Sequence, residues 1–192
     1  MSTTPRRRNA ALTRTEVLDR AMETAADLGA SGFTIDAVAA RTAVSKGAVL
    51  HHFSSKTALL EAMIDEAGRQ FTEAVRREAE KDPESYCRNA RAYLRATVNE
   101  VSSPAEVSLG RAILAACAMD RSLGDRWRDW AMPLFDGDSQ DPAEADDGLM
   151  LKLIADGLWL SDMMGTYTIS PEQRKALLSL LTPGPLNTGA AQ

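Results

Sequence analysis

Along most of the chain, apolar positions recur every three or four residues, while glycine and proline fall mainly between the periodic stretches. That pattern predicts helices joined by turns. No alternating run bounded by hairpin dipeptides interrupts it, so the expected fold class is all-α, with about nine helices. The first helix opens on Thr13-Arg14-Thr15-Glu16, a capping-box pattern in which Thr13 and Glu16 satisfy two otherwise unpaired backbone donors. Val17, Leu18, Ala21, Met22, Ala25 and Leu28 then form one apolar stripe, and Gly29 and Gly32 supply the backbone freedom to stop it. Thr34 is the expected N-cap of a short second helix that turns Ile35, Val38 and Ala39 inward, with Asp36 in its first turn. Ser45 caps a third, which ends near Phe53, and Ser54 or Ser55 caps a fourth over about 56–81.

Further helices are expected at about 83–101, 105–118, 123–135, 143–167 and 171–181. Between the last three, 136–147 holds Asp136, Asp138, Asp141, Glu144, Asp146 and Asp147 with no Lys or Arg, which reads as a solvated acidic loop. Two short helices separated by a tight turn, with a longer helix before and after, are the layout of a helix-turn-helix.

Charge supports that reading. The chain carries a formal net charge of −5, yet residues 1–56 hold 8 Lys/Arg against 5 Asp/Glu. A basic head on an acidic protein suggests contact with a polyanion. Cys87 and Cys117 lack CxxC spacing and fall in helical segments, so free thiols in a reducing cytoplasm are expected. No apolar stretch follows Arg6-Arg7-Arg8, which argues against a secretory signal peptide. Lys152, Asp156 and Asp162 interrupt the most apolar run, so it is read as a buried helix and no membrane partner is expected.

On the third helix, positions 45, 49, 52 and 53 share a face that places Val49 and Phe53 inward, leaving Lys46, Gly47, Leu50 and His51 on the opposite side. Nine residues span about 13 Å, which a major groove about 12 Å wide admits. Lys46 reaches a phosphate or a guanine edge, Gly47 permits close backbone approach, and His51 offers a ring nitrogen. Leu50 either packs on a thymine methyl or is an ordinary surface leucine. Adjacent His51 and His52 point about 100° apart on a helix with no nearby Cys, so no metal is expected.

The run Phe33-Thr34-Ile35-Asp36-Ala37-Val38-Ala39, followed by Val44-Ser45-Lys46-Gly47-Ala48-Val49-Leu50-His51-His52-Phe53-Ser54-Ser55-Lys56-Thr57-Ala58-Leu59, resembles the DNA-binding signature of the TetR/AcrR family of transcriptional regulators. The resemblance covers about a quarter of the chain, 13–64. It implies phosphate contacts from Thr34 and Lys56, and Ser45, Lys46, Gly47 and His51 facing the groove. His52 would approach phosphate or help hold the domain together. Two positions depart from the family pattern: Leu50 replaces the common aromatic, and Ala43 stands where a turn glycine is usual. Arg6, Arg7 and Arg8 either reach DNA as a basic arm or belong to a solvated tail. The organisation implied is an arm at 1–12, a helix-turn-helix domain at 13–60, a ligand-binding and dimerisation domain at 61–182, and a tail at 183–192.

The same resemblance implies a homodimer through the last two long helices, on which Leu149, Leu153, Leu160 and Met164 supply bulk, Ala155 and Gly157 allow close approach, and Leu177, Leu178, Leu180 and Leu181 extend the surface. These residues suit an intramolecular core equally. Family sensor pockets lie among the middle helices, and Tyr93, Trp127, Trp130, Trp159 and Met163, with Met132 and Tyr167, are the candidate walls for an apolar or aromatic effector. No Gly-rich phosphate loop, HExxH or partnered nucleophile supports an enzyme, and no cofactor is expected. The function implied is a ligand-relieved repressor on palindromic operator DNA. The alternative is a DNA-binding activator or architectural protein without a ligand.

Overall fold

A computed structural model describes residues 13–42, 44–99, 103–135 and 141–181. They form α1 (Arg14–Gly32), α2 (Ile35–Thr42), α3 (Lys46–His52), α4 (Lys56–Glu80), α5 (Arg88–Asn99), α6 (Pro104–Met119), α7 (Arg121–Ala131), α8 (Pro142–Met164) and α9 (Pro171–Leu181), with a 3-10 turn at Met132–Phe135. There is no strand among the described residues, and the fold is all-α with a helix-turn-helix at its N-terminal end. The expected arm at 1–12, Ala43 and the tail at 183–192 lie outside the described residues, as do Asp136 and Asp138.

Local chemistry explains where the helices begin. The Thr13 hydroxyl accepts from the Glu16 N–H at 3.2 Å, and the Glu16 carboxylate accepts from the Thr13 N–H at 2.6 Å. Ser103 and Glu106 repeat this box at α6, with Pro104 in the first turn. Of the two serines before α4, Ser55 is the cap, its hydroxyl accepting from the Ala58 N–H at 3.0 Å. Each such cap contributes about 1 kcal/mol to its helix.

Packing divides into connected clusters. Val17, Ala21, Phe33, Val38, Val49 and Phe53 close a core around α1–α3, completed by Leu59 and Met63 of α4 and Ala112 of α6. Val75 of α4, Tyr93 and Leu94 of α5, Leu134, and Leu151, Ala155 and Leu158 of α8 make a second core. Ile64, Ile113, Ala116 and Leu123 join α4, α6 and α7 between them. Helix α4 therefore contributes to every cluster, and α6 packs against α1. Where α7 crosses α4, Gly68 is a steric requirement, because a Cβ there would lie 2.4 Å from Cγ of Trp130.

Four expectations are corrected. The helix expected from position 83 begins at Arg88, since the Asp82 carboxylate accepts the Glu84 N–H and the side chains of Arg91 and Arg95, tying the segment into a turn. Cys87 there adopts φ 50°, and its N–H donates to the Glu144 carboxylate at 2.6 Å. The helix expected to reach 167 ends at Met164, because Gly165 takes the left-handed conformation that terminates it. The acidic loop is half helix: Asp141 caps α8, Glu144 holds the Cys87 N–H, and Asp147 accepts the Tyr86 hydroxyl at 2.7 Å. That last bond pushes the Tyr86 phenol up to about 12. Of the residues that suit either an interface or an internal core, Ala155 is fully buried in the chain's own core, and of the four α9 leucines only Leu180 is exposed while the others pack inward. Leu28, assigned to the inner stripe of α1, is exposed next to the kink at Gly29.

Candidate nucleic-acid interface

The inward side chains of α3 follow from its periodicity. Val49 is fully buried and Phe53 nearly so, which turns Lys46, Gly47 and His51 to solvent. The helix is seven residues, about 10 Å, and its start is fixed by the Ser45 hydroxyl accepting from the Ala48 N–H at 3.1 Å. An added Cβ on Gly47 would meet nothing closer than the Ser45 hydroxyl, 3.8 Å away. Packing within the chain therefore does not demand glycine here. Thr34 is exposed and caps α2, its hydroxyl accepting from the Ala37 N–H at 3.1 Å. Lys56, exposed at the start of α4, holds its ammonium 5.7 Å from the centre of the Phe33 ring. Thr34, Lys46, Gly47, His51 and Lys56 are all exposed.

Leu50 and His52 sit differently. Leu50 is half-buried and packs on the N-terminal core, so only part of its surface faces outward. His52 is half-buried with its ring edge-on to His51, centroids 5.4 Å apart.

A contact that periodicity does not reveal is the exposed ion pair between Lys46 Nζ and Asp36 Oδ2, 2.9 Å apart across the turn. The exposed Lys46 ammonium is thus already opposed by a carboxylate. Asp36→Asn should raise affinity for non-operator DNA about two- to fivefold at low salt, with the gain shrinking as salt screens it. Fluorescence anisotropy against a salt series measures this, and unchanged affinity would mean the pair does not restrain Lys46.

The five candidate sensing residues fall into three groups. Tyr93 and Trp127 meet through Phe71: the Tyr93 and Phe71 rings are edge-on at 5.1 Å, and Phe71 lies 6.2 Å from Trp127. Phe135 closes the cluster 5.4 Å from Tyr93. The Tyr93 hydroxyl donates to Asp156 at 2.7 Å, and burial together with this carboxylate pushes its ionisation far above the ordinary range, so it remains a neutral donor. Trp130 belongs elsewhere, lying on Gly68 and donating its indole N–H to Asp65 at 3.1 Å. Asp65 also accepts two bonds from Arg126, at 2.8 and 2.6 Å, and this guanidinium holds its carboxyl below the usual range. Trp159 and Met163 pack on α6 beside Gly110. Met132 and Tyr167 are exposed. Sequence reasoning missed Phe71 and Phe135; the signal for Phe71 is its i, i+4 relation to Val75 on the inner stripe of α4.

Two family models match the chain. Residues 17–63 match the bacterial regulatory proteins of the tetR family, and residues 88–182 match the tetracyclin repressor-like C-terminal domain. The chain belongs to the TetR family. The curated relatives include the HTH-type transcriptional regulator BetI of Paraburkholderia phytofirmans, 36% identical over 78 residues, which are 39% of this chain and 40% of that protein. BetI of Cronobacter sakazakii is 37% identical over 62 residues, 32% of this chain and 31% of that protein. The chain thus aligns with well under half the length of these relatives. Among solved structures, a transcriptional regulator from Pseudomonas aeruginosa PAO1 superposes with a TM-score of 0.74 at 18% identity, covering 96% of each chain. The multidrug binding protein EbrR, complexed with malachite green, gives 0.65 at 22% identity over 88% of this chain and 98% of that one. These structures share the TetR-family fold. Among the described residues no helix is long and apolar enough to cross a membrane, and no group of His, Cys, Asp or Glu is placed to hold a metal ion.

Proposed function

We propose that this TetR-family regulator is a cytoplasmic, ligand-relieved repressor that binds palindromic operator DNA as a homodimer and has no enzymatic activity. The exposed face of α3, with Lys46, Gly47 and His51 bordered by Thr34, Ser45 and Lys56, carries the DNA-binding half of this reading. Leu50 and His52 contribute from the margin of the same face, His52 by approaching phosphate or by holding α3 in place. The dimer is supported by α8, where exposed Leu149, Leu153, Leu160 and Met164 line one side around Gly157, and by exposed Leu180 on α9. A contiguous apolar face of this kind marks an association surface, and a two-fold pair of reading heads suits a palindrome.

The effector reading rests on the Tyr93–Phe71–Trp127 cluster, with Trp130, Trp159 and Met163 on the helices around it. An apolar or aromatic molecule inserted there would act by differential affinity, favouring an arrangement of α4 and α7 that no longer fits both half-sites. The Asp65 clasp to Arg126 and Trp130 is the connection such a ligand would move. Malachite green, which EbrR binds, is a suitable first probe: saturable quenching of tryptophan emission without DNA would support an aromatic effector. No quenching of any of the three tryptophans would count against it.

Lys46→Ala tests the DNA-binding half. Operator affinity should fall by roughly 1–3 kcal/mol, with helicity and oligomeric state unchanged. If Lys46 meets a phosphate, the slope of log affinity against log salt should become shallower by about one. Equal affinity of the two proteins at every salt concentration would overturn its assigned role.

A further inference from the structure

Helix α4 serves two parts of the fold within a single turn. Ala62 and Met63 close the N-terminal core with α1, α2 and α3, the reading head, while Ile64 packs with Ile113 and Ala116 of α6 and Leu123 of α7. Asp65, about 200° round the helix from Met63, is held by α7. Arg126 donates to its two oxygens at 2.8 and 2.6 Å, and the Trp130 indole N–H donates to the first of them at 3.1 Å. One turn on, the Trp130 side chain lies on Gly68, where a Cβ would stand 2.4 Å from its Cγ. Helix α7 is therefore keyed to α4 at two successive turns, next to the turn that holds the reading head.

The contact fixes direction more than stability. Arg126 is 40% and Asp65 37% exposed, and an ion pair so open to water adds little to the folding free energy. Its geometry is restrictive, because a planar guanidinium fork on a carboxylate favours one orientation, and the close fit of Trp130 on Gly68 opposes sliding. Ala112 and Leu109 of α6 also tie the head to the C-terminal helices, but by apolar contact, which is not directional. The hydrogen bonds from Arg126 do most to hold the Asp65 carboxyl below its usual range, and the field of Arg14 on α1 adds to them. Arg14 itself stands 4.6 Å over the ring of Phe53, the residue that ends α3. Beyond α7, Leu134 enters the core shared with Leu151, Ala155 and Leu158 on the buried side of α8, whose exposed side is the proposed dimer surface.

We propose that Asp65 determines specificity for DNA: by fixing how α4 seats on α7, it sets the separation of the two reading heads, and with it the half-site spacing that the dimer accepts. The role is one of positioning and requires no contact between Asp65 and DNA. It rests on the reading of this protein as a dimer on palindromic operator DNA, and goes beyond that reading in concerning the protein with no effector bound.

The probes are a palindromic duplex selected by the parent protein from random-sequence DNA, the same duplex with its half-sites moved closer or apart by one or two base pairs, and a duplex carrying a single half-site. The parent should prefer the selected spacing by about tenfold or more. Asp65→Asn and Arg126→Gln should each cut that preference to about threefold or less, while affinity for the single half-site stays within about twofold and its salt dependence keeps the same slope. Arg126→Lys retains the charge and loses the fork, so it should lose the preference as Arg126→Gln does. The double variant should match either single one, because both remove one contact. Circular dichroism and sedimentation should show every variant as helical and as dimeric as the parent. A spacing preference that is unchanged in both single variants, or absent from the parent, overturns the assignment. So does an equal loss on the single half-site, since Asp65 would then support the head's own fold. A parent protein that binds the single half-site as tightly as the palindrome overturns the dimeric reading itself, and this assignment with it.

Discussion

If the proposed homodimer forms through α8, Leu153→Arg should yield a folded monomer whose operator affinity is lower by two orders of magnitude or more. Leu153 is 61% exposed in the single chain, so within one protomer its side chain has little packing to lose. It lies between Leu149 and Gly157 on the exposed side of α8, and in a two-fold interface every substitution enters twice. Two guanidinium groups would then be driven into apolar surface without partners, at a cost of several kcal/mol each. Operator binding falls with it, because one half-site cannot supply the contacts of two. Sedimentation equilibrium reads the oligomeric state, anisotropy the operator affinity, and circular dichroism the helicity. A dimer that survives the substitution would place the interface on another face.

Asp82→Asn should destabilise the fold by about 2–3 kcal/mol, because it leaves the buried Arg91 without a carboxylate partner and Arg95 with only Glu78, 3.9 Å away, at the junction of α4 and α5. Arg91 donates to Asp82 at 2.9 and 3.0 Å, Arg95 donates to the same carboxylate, and both Arg91 and Asp82 are almost entirely buried. Arg91 also donates to the backbone oxygens of Tyr86 and Glu84, so its side chain organises the whole turn before α5. Asparagine preserves the shape and removes the charge. Thermal unfolding at one fixed protein concentration measures the loss, and a variant as stable as the parent would mean that water reaches the arginines freely.

The same carboxylate gives the protein an acid limit. Burial alone would raise the Asp82 pKa, but hydrogen bonds from Arg91, Arg95 and the Glu84 N–H outweigh it and bring the value down from 3.8 to about 2. A depressed carboxylate contributes stability that is complete above its unfolded value and is lost as pH falls towards the folded one. Asp82 should therefore contribute about 2 kcal/mol at neutral pH, lost between roughly pH 4 and 2. The Asn variant should show a flatter stability profile across that window.

What could be read before the structure was known follows a physical division. The starts of α1, α2, α3 and α4 were legible because each is set by a hydroxyl three residues from the N–H it accepts, at Thr13, Thr34, Ser45 and Ser55. The face of α3 was legible for the same reason, since Val49 and Phe53 define it through local periodicity. Less accessible was anything held by partners distant in sequence. Arg88 begins α5 because Asp82 binds Arg91 and Arg95, and Cys87 is fixed by Glu144, 57 positions away. Acids at 141–147 looked like solvent-facing charge because their partners, Tyr86 and the Cys87 N–H, lie across the fold. The aromatic residues carried no such address: composition alone could not show that Phe71 joins Tyr93 to Trp127 while Trp130 turns away to Asp65.

Helix α4 is an unbroken rod of 25 residues, about 37 Å long, gripped near one end by Leu59 and Met63 and further along by Val75. Mechanically it is a lever. A tilt of about 5° about its midpoint displaces either end by about 1.6 Å, a distance that breaks a hydrogen bond and that a close-packed core resists. The stiffness of this one helix converts a small angular error at the distal end into a positional error at α3. Any substitution that softens α4 between Met63 and Val75 should therefore cost communication between the two ends before it costs stability.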